Sequence, residues 1–191
     1  MQPVIEPGGQ PQRNGWSQPK KTIVLASIVV IAVALYYALP VVLVVFVAQP
    51  LKIDGAAMSP TLNNGDRILV NKQFGNLKRG DIVVFYYPKD TTKSFVKRII
   101  GLPGEKIDAD ANGSITINGQ AIEESYLRKE RNQSSRARWS IVPAEWMLLN
   151  EDAYFMLGDN RDASNDSRSY GPVKKELIYG KYFMRYWAAR Q

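Results

Sequence analysis

Lys97 is the residue of this sequence best placed for acid–base chemistry, because it interrupts the apolar run Phe95–Ile100 (FVKRII). Side chains alternate between the two faces of a β-strand, so Lys97 and Arg98 point in opposite directions and one of them meets a largely apolar environment. Burial lowers the pKa of a lysine until its amine can accept a proton near neutral pH. The alternative is an edge strand with both cations in solvent, which this segment alone favours because lysine is rarely buried.

A second candidate is the polar loop Gly158–Arg168 (GDNRDASNDSR), which follows an apolar run. Such a loop forms either a solvated turn or a network of hydrogen bonds and ion pairs that holds a site rigid. Asp166 can pair with Arg168, and the Ser164 hydroxyl can bind a neighbouring ammonium. The composition alone favours the solvated turn. The acidic residues lack the alternation and the terminal Glu of an EF-hand, so we predict no metal site.

The third segment is Ile53–Leu62 (IDGAAMSPTL), which lies just after the long apolar stretch near the N-terminus. Gly55 permits the close approach of another chain, and Pro60 stiffens the turn that follows. Taken alone, this segment is typical of an ordinary linker.

Composition narrows the range of possible catalytic mechanisms and metal sites, because the 191 residues include no histidine and no cysteine. Ser–His–Asp and Cys–His catalysis, disulfides and zinc fingers are therefore excluded. Lysine and arginine outnumber aspartate and glutamate by 25 to 18, a net charge of +7 that favours contact with anionic lipids. We predict no nucleic-acid partner, since the chain has no helix-turn-helix, zinc-finger or RRM signature.

The N-terminal region predicts a membrane anchor. Residues 1–21 are rich in Pro, Gln, Gly and Asn and predict a disordered tail. Residues 22–48 are almost wholly apolar and reach about 40 Å as a helix, more than the roughly 30 Å of a bilayer core, with Pro40 kinking or ending the helix. The stretch is too long for the apolar core of a cleaved signal peptide. Lys20 and Lys21 beside it place the N-terminus in the cytoplasm and residues 49–191 outside.

Residues 49–191 predict a mainly β domain, since short β-branched and aromatic runs alternate with Gly, Pro, Asn and Asp. The charged segment 123–150 is predicted to be an insertion or long surface loop. The predicted strands are Asp66–Asn71, Asp81–Tyr87, Phe95–Ile100, Ser114–Asn118, Tyr154–Leu157 and Lys181–Trp187.

In order, these three segments resemble the type I signal peptidases, which are membrane-anchored Ser–Lys proteases. The resemblance runs from Gln49 to Trp187, and three motifs in the right order after an anchor are a specific signal. The matching stretches are Met58–Leu62 (MSPTL), Arg79–Phe85 (RGDIVVF), Val96–Glu105 (VKRIIGLPGE), Gly158–Arg161 (GDNR), Ser164 and Asp166–Arg168 (DSR).

The resemblance implies a role for each motif residue and no cofactor or metal. Position 57 is the nucleophile position, Lys97 the general base and Ser164 the residue that orients the lysine amine. The resemblance also implies residues that brace the site and residues that bind substrate. The bracing residues are Asp159, Arg161, Asp166 and Arg168, and the substrate-binding residues are Gly55, Ala56, Met58 and Pro60.

Alanine occupies position 57 where the family has serine, and alanine cannot attack a carbonyl. Three explanations remain: an introduced substitution, a natural inactive homologue, or replacement by Ser59. We favour the first, because the neighbouring motif residues are intact. The alternative functions are a signal-peptide-binding homologue that does not cut, a self-cleaving repressor of the related LexA kind, and a structural ectodomain.

The family's substrates are preproteins with small residues, commonly Ala-x-Ala, before the cut. The resemblance implies that their signal peptides bind in extended form along a strand edge. It also implies an apolar surface near the bilayer, for which the candidates are Trp139, Trp146, Met147 and Trp187; ordinary core or loop packing is the alternative for each.

Overall fold

The structure, a computed structural model, describes residues 18–46, 48–110, 114–127 and 139–189. Most of the predicted tail, residues 1–21, lies outside the described residues. The chain forms two compact units, residues 1–42 and 43–191, and each is described here by itself.

The N-terminal unit is dominated by helix α1 (Gln18–Phe46), which continues past Pro40 rather than ending there. Within it, Lys20–Val42 is 23 residues long with a mean hydropathy of 2.5. By length and composition, this stretch can cross a membrane. Its side chains are exposed within the chain itself, unlike those of a core helix.

The described part of the second unit contains ten strands, which confirms the mainly β prediction. They are β1 (Ala48–Lys52), β2 (Arg67–Asn71), β3 (Ile82–Tyr87), β4 (Asp90–Gly101), β5 (Ile107–Ala109), β6 (Ile115–Ile117), β7 (Gln120–Ala121), β8 (Ala153–Leu157), β9 (Val173–Lys174) and β10 (Ile178–Trp187). Seven of them form one antiparallel sheet in the order β1-β2-β10-β3-β4-β8-β9, and β5-β6-β7 form a second. The predicted runs correspond to β2, β3, β4, β6, β8 and β10.

The large sheet is covered on both faces near its centre. Val83 and Val84 are neighbours in β3 and so face opposite sides, yet both are buried. This explains why β3 is a continuous apolar run (IVVF) rather than an alternating one. The last strand, β10, lies between β2 and β3. Beyond it, the Ala189 amide donates to Asp66 Oδ1 at 2.9 Å, which ties the end of the described chain to the start of β2.

The described parts of the segment 123–150 do not lie wholly at the surface, in contrast to the surface-loop prediction. Trp139, Val142 and Leu149 are buried in a core cluster with Phe155 of β8. The Trp139 ring stacks on the Phe155 ring with 5.6 Å between centroids. Core packing, and not membrane contact, therefore accounts for Trp139.

Candidate active site

Lys97 is buried in a strand that has a neighbour on each side, so the alternative of an edge strand with both cations in solvent is wrong. On one side, Lys97 of β4 pairs with Val83 of β3. On the other side, β8 pairs with β4 only from Arg98 onward, so the two strands diverge at the lysine. The backbone of β4 just before Arg98 borders a groove instead. The Lys97 side chain is buried, with 4% of its surface exposed.

Burial allows the Lys97 amine to act as a base near neutral pH. It lowers the pKa of Lys97 from 10.5 to about 8, against the opposing charges of Asp166 and Asp159. Lys97 Nζ donates a hydrogen bond to the Val96 carbonyl at 3.2 Å and lies 5.1 Å from the centroid of the Phe95 ring. Both nearby carboxylates pair with arginines instead of the lysine. A large fraction of Lys97 is therefore neutral at pH 8.

Ala57 is held against the polar loop by its backbone. Its carbonyl oxygen accepts a hydrogen bond from the Asn160 amide at 3.0 Å. A Cβ at Gly158 would lie 2.5 Å from the same oxygen and would also collide with Ser164 Oγ. Ala57 and Ser164 therefore share the space left by the absent Gly158 side chain. Only glycine allows this approach, because real Cβ atoms do not come so close to other atoms.

Ser164 is the buried hydroxyl of this loop, with 2% of its surface exposed. Among the described residues, Ser164 Oγ meets no hydrogen-bond partner of normal geometry. Burying a hydroxyl without a well-formed hydrogen bond costs free energy. We therefore expect Ser164 Oγ to gain a partner when a ligand occupies the site.

The loop is braced by Asp159, whose carboxylate joins three parts of the site. Arg98 donates to it twice, from Nε at 2.8 Å and from Nη2 at 2.6 Å. Thr61 Oγ1 donates to Asp159 Oδ2 at 2.5 Å. Asp159 thus links the strand that carries Lys97 to the turn that carries Ala57.

Asp166 and Arg168 form a second, fully buried brace. Arg168 donates from Nε and Nη2 to the two carboxylate oxygens, both at 2.8 Å. Burial by itself raises the pKa of Asp166, but the hydrogen bonds and charge of Arg168 hold it below its ordinary value. Asp166 also accepts from the Gly158 amide at 3.2 Å and caps the short helix α2 (Ser167–Tyr170).

Arg161 completes the braced loop and introduces residues that the sequence analysis missed. It is 1% exposed and donates from Nε to the Gly158 carbonyl at 3.0 Å. Its guanidinium pairs with Glu124, and Tyr126 donates its hydroxyl to Glu124 at 2.6 Å. Both residues come from the charged segment after β7. No local pattern singled them out, since Glu124 follows another glutamate.

The groove between the Ala57 turn and β4 has a volume of about 270 Å³. Its walls combine Ile53, Gly55 and Met58 with the Ser94–Lys97 edge, and Ala57 lies between them. The predicted substrate residues Gly55 and Met58 thus border the groove. Ala56 and Pro60 do not line it, and Ala56 is exposed.

Several other residues lie apart from this chemistry. Ser59, the suggested replacement nucleophile, donates its hydroxyl to Asn63 at 2.9 Å. Trp187 is 62% exposed, whereas Trp146 and Met147 are half-buried. Across the described residues, no group of three or more Asp or Glu side chains is arranged to hold a metal ion.

Comparison with known proteins identifies the family. The family model described as signal peptidase, peptidase S26, matches residues 22–187. A probable signal peptidase I-2 of Synechocystis is 33% identical over 93% of this chain and 76% of its own length. Signal peptidase IB of Staphylococcus aureus is 29% identical over 83% of this chain and 87% of its own.

A crystal structure of a signal peptidase I from Enterococcus faecalis aligns with 57% of this chain and 98% of its own, with 31% identity and a TM-score of 0.49. The match to the family model by itself extends from within the apolar helix to the end of β10. On that match, and on the relative that is 33% identical over 93% of this chain, the chain belongs to the signal peptidase family, peptidase S26.

Proposed function

We propose that this chain is a type I signal peptidase whose serine-bearing form removes signal peptides from preproteins with a Ser–Lys dyad. The observation that carries the proposal is that Ala57 and the buried Lys97 line the same groove. Proteins similar to it are named signal peptidases. With alanine at the nucleophile position, the chain as it stands binds substrate and does not cut it.

In the serine-bearing form, the hydroxyl at position 57 attacks the scissile carbonyl and passes its proton to neutral Lys97 Nζ. The lysine then gives this proton to the leaving amine, and an acyl-enzyme remains. Lys97 Nζ then takes a proton from water as the water oxygen attacks the acyl carbon, the ester bond to the serine breaks, and the serine oxygen takes that proton back from the lysine. The pKa of about 8 supports both directions of proton transfer, since near that pH the amine is present in both its neutral and its protonated form.

The remaining residues position this pair. Ser164 has a buried hydroxyl with which to orient the Lys97 ammonium. The backbone amide of residue 57 stabilises the oxyanion. The family resemblance implies a further donor from a serine two residues before the nucleophile, but this chain has Gly55 there, whose amide donates to Asn64 at 3.0 Å. A second oxyanion donor must therefore come from another group.

The groove suits an extended peptide with small side chains. Beside Lys97, the free edge of β4 offers backbone donors and acceptors for an added strand. The apolar surfaces of Val84, Val96 and Met58 form shallow walls beneath it. Removing one oxygen from a serine at position 57 leaves these walls unchanged, so recognition survives the loss of chemistry. The same argument supports the second candidate, a natural homologue that binds signal peptides without cutting.

The proposed location is the cell membrane, crossed once by the stretch Lys20–Val42. Lys20 and Lys21 favour a cytoplasmic N-terminus and an extracytoplasmic second unit. The net charge of +7 favours anionic lipids as partners, and we propose no nucleic-acid partner.

Restoring the hydroxyl tests the proposal, and the adjacent alanine offers a matched control. Ala57→Ser, purified in detergent micelles, is expected to cleave a preprotein after Ala-x-Ala. Ala56→Ser adds the same hydroxyl one residue away, on an exposed residue outside the groove, and is expected to remain inactive. A folded Ala57→Ser protein that cleaves none of several preproteins, or equal cleavage by both variants, contradicts the proposed function.

A further inference from the structure

The ion pair between Glu124 and Arg161 joins the braced loop to a part of the chain outside every motif. The two residues are 37 positions apart, and their side chains are 8% and 1% exposed. Both guanidinium Nη atoms reach the carboxylate, Nη1 of Arg161 lying 3.2 Å from Glu124 Oε2. A bidentate pair of this kind fixes orientation as well as charge.

Arg161 transmits this constraint to the turn at Gly158. Its Nε donates to the Gly158 carbonyl at 3.0 Å, so the guanidinium is a strut between Glu124 and the turn. The backbone of Arg161 is held as well, because Arg168 Nη2 donates to the Arg161 carbonyl at 2.7 Å. The turn fixed in this way carries the Asn160 amide that binds the Ala57 carbonyl at 3.0 Å.

Charge balance explains why this strut needs Glu124. Each of the three arginines around the loop pairs with one carboxylate: Arg98 with Asp159, Arg168 with Asp166 and Arg161 with Glu124. Without Glu124, the buried Arg161 loses the carboxylate that both of its Nη atoms reach, and a buried charge with less compensation tends to shift its position. Any such shift weakens the hydrogen bond from Arg161 Nε to the Gly158 carbonyl.

Tyr126 reinforces the arrangement from the same segment. Its hydroxyl donates to Glu124 Oε1 at 2.6 Å, while the Arg98 guanidinium lies 4.1 Å from the centroid of its ring. A cation over an aromatic face is an attractive contact. The segment after β7 thus contacts Arg161 through Glu124 and Arg98 of β4 through Tyr126.

We infer that Glu124 is a positioning residue of this enzyme, which acts through Arg161 to hold the Gly158–Asn160 turn and, with it, residue 57 beside Lys97. The functional part of this inference rests on the proposed Ser–Lys chemistry. The positional part does not, because it concerns a hydrogen bond already present in the alanine form. The neighbouring Glu123 is exposed and supplies a matched control.

The positional part is tested by amide hydrogen exchange on the full chain in detergent micelles. In Glu124→Gln, the Asn160 amide is expected to exchange at least about tenfold faster than in Glu123→Gln, because its acceptor is no longer held in place. Amides of β3 are expected to keep their rates, which excludes global unfolding. Tyr126→Phe removes only one hydroxyl, and a smaller acceleration is expected; it replaces Glu124→Gln if that variant fails to fold. Equal Asn160 rates in the folded variant and the control overturn the inference.

The functional part is tested by adding the same changes to Ala57→Ser. Glu124→Gln is expected to lower kcat by about tenfold or more, since small misplacements of a reacting group are costly, while KM stays within about twofold of the control. Glu124 does not line the groove, so peptide binding is not directly affected. An unchanged kcat overturns the functional part. If Ala57→Ser alone is inactive, the proposed function fails, and the exchange rates still decide whether Glu124 holds the turn.

Discussion

The carbonyl oxygen of Ala57 lies 2.5 Å from the point that a Cβ of Gly158 would occupy. The first prediction follows from this contact. Gly158→Ala is expected to destabilise the chain by about 1–3 kcal/mol and to displace the Ala57 turn, because neither the backbone oxygen nor the buried Ser164 can make room cheaply. Chemical denaturation measures the loss. Gly75→Ala, at an open position with nothing within 4 Å of the new Cβ, is expected to change stability by less than about 0.5 kcal/mol.

The second prediction concerns the base. In the Ala57→Ser protein, Lys97→Ala is expected to lower kcat at least about 10²-fold, because Lys97 is the base in the proposed dyad. Lys93→Ala removes an exposed amine of the same strand and is expected to leave kcat nearly unchanged. Preprotein cleavage assays measure both. Cleavage that persists in the Lys97→Ala protein places the base elsewhere.

The third prediction is a pH dependence. Burial lowers the pKa of Lys97 to about 8, so NMR titration of the alanine chain is expected to show one lysine titrating far below the others. In the Ala57→Ser protein, kcat/KM is expected to fall as the pH drops through about 8, since protonation removes the base. A lysine spectrum in which every amine titrates near 10.5 contradicts both expectations.

The same shift has a consequence for stability with a defined sign. The folded pKa is below the unfolded value of 10.5, so the unfolded chain binds more protons between about pH 8 and pH 10.5. The contribution of Lys97 to folding stability therefore rises with pH across this window and is constant below it. Lys97→Met is expected to flatten the measured slope of unfolding free energy against pH.

The fourth prediction concerns what the alanine form binds. Calorimetry is expected to show that this chain binds a preprotein with Ala before the cleavage site without cutting it. A bulky residue at that position is expected to weaken binding by about tenfold or more, because the shallow groove cannot accept it without strain. Equal affinity for the two preproteins, or no binding to either, indicates a homologue that has lost recognition as well as chemistry.

The fifth prediction is topological. Protease added to cells whose outer wall or membrane has been removed is expected to digest the second unit after Gln49 and to spare residues 1–21. The charge beside the span is the physical reason, since Lys20 and Lys21 are retained on the cytoplasmic side. Fragments are detected with antibodies to each end. Loss of the N-terminal segment alone reverses the proposed orientation.

The sequence predicted most strands of the large sheet but not their neighbours. Alternating or continuous apolar runs are local properties, so β3 and β8 were predicted to within one residue at each end, whereas β4 begins five residues before its predicted run. The two-residue strands β7 and β9 carry too little pattern, and β1 contains Pro50, which argues against a strand. Whether the strand that carries Lys97 has a second neighbour depends on β8, more than 50 residues later, and no local pattern contains that information.

The candidate site was predicted to a similar depth. Resemblance named the loop residues Asp159, Asp166 and Arg168 in supporting roles, and the structure brings them together around Ala57 and Lys97. The resemblance could not name Glu124, because the Glu124 carboxylate is paired through space with Arg161, which is 37 positions away. In sequence, Glu123 and Glu124 are equivalent; only burial distinguishes them.

The position of β10 between β2 and β3 imposes an order of events on the nascent chain. β2 and β3 are synthesised long before the strand that joins them, so each exposes an unpaired edge until β10 has been made. Asp66, near the Ala57 turn, likewise gains its Ala189 partner only then. Tyr179 of β10 also lines the groove, so the groove is complete only once β10 has been made and has joined the sheet.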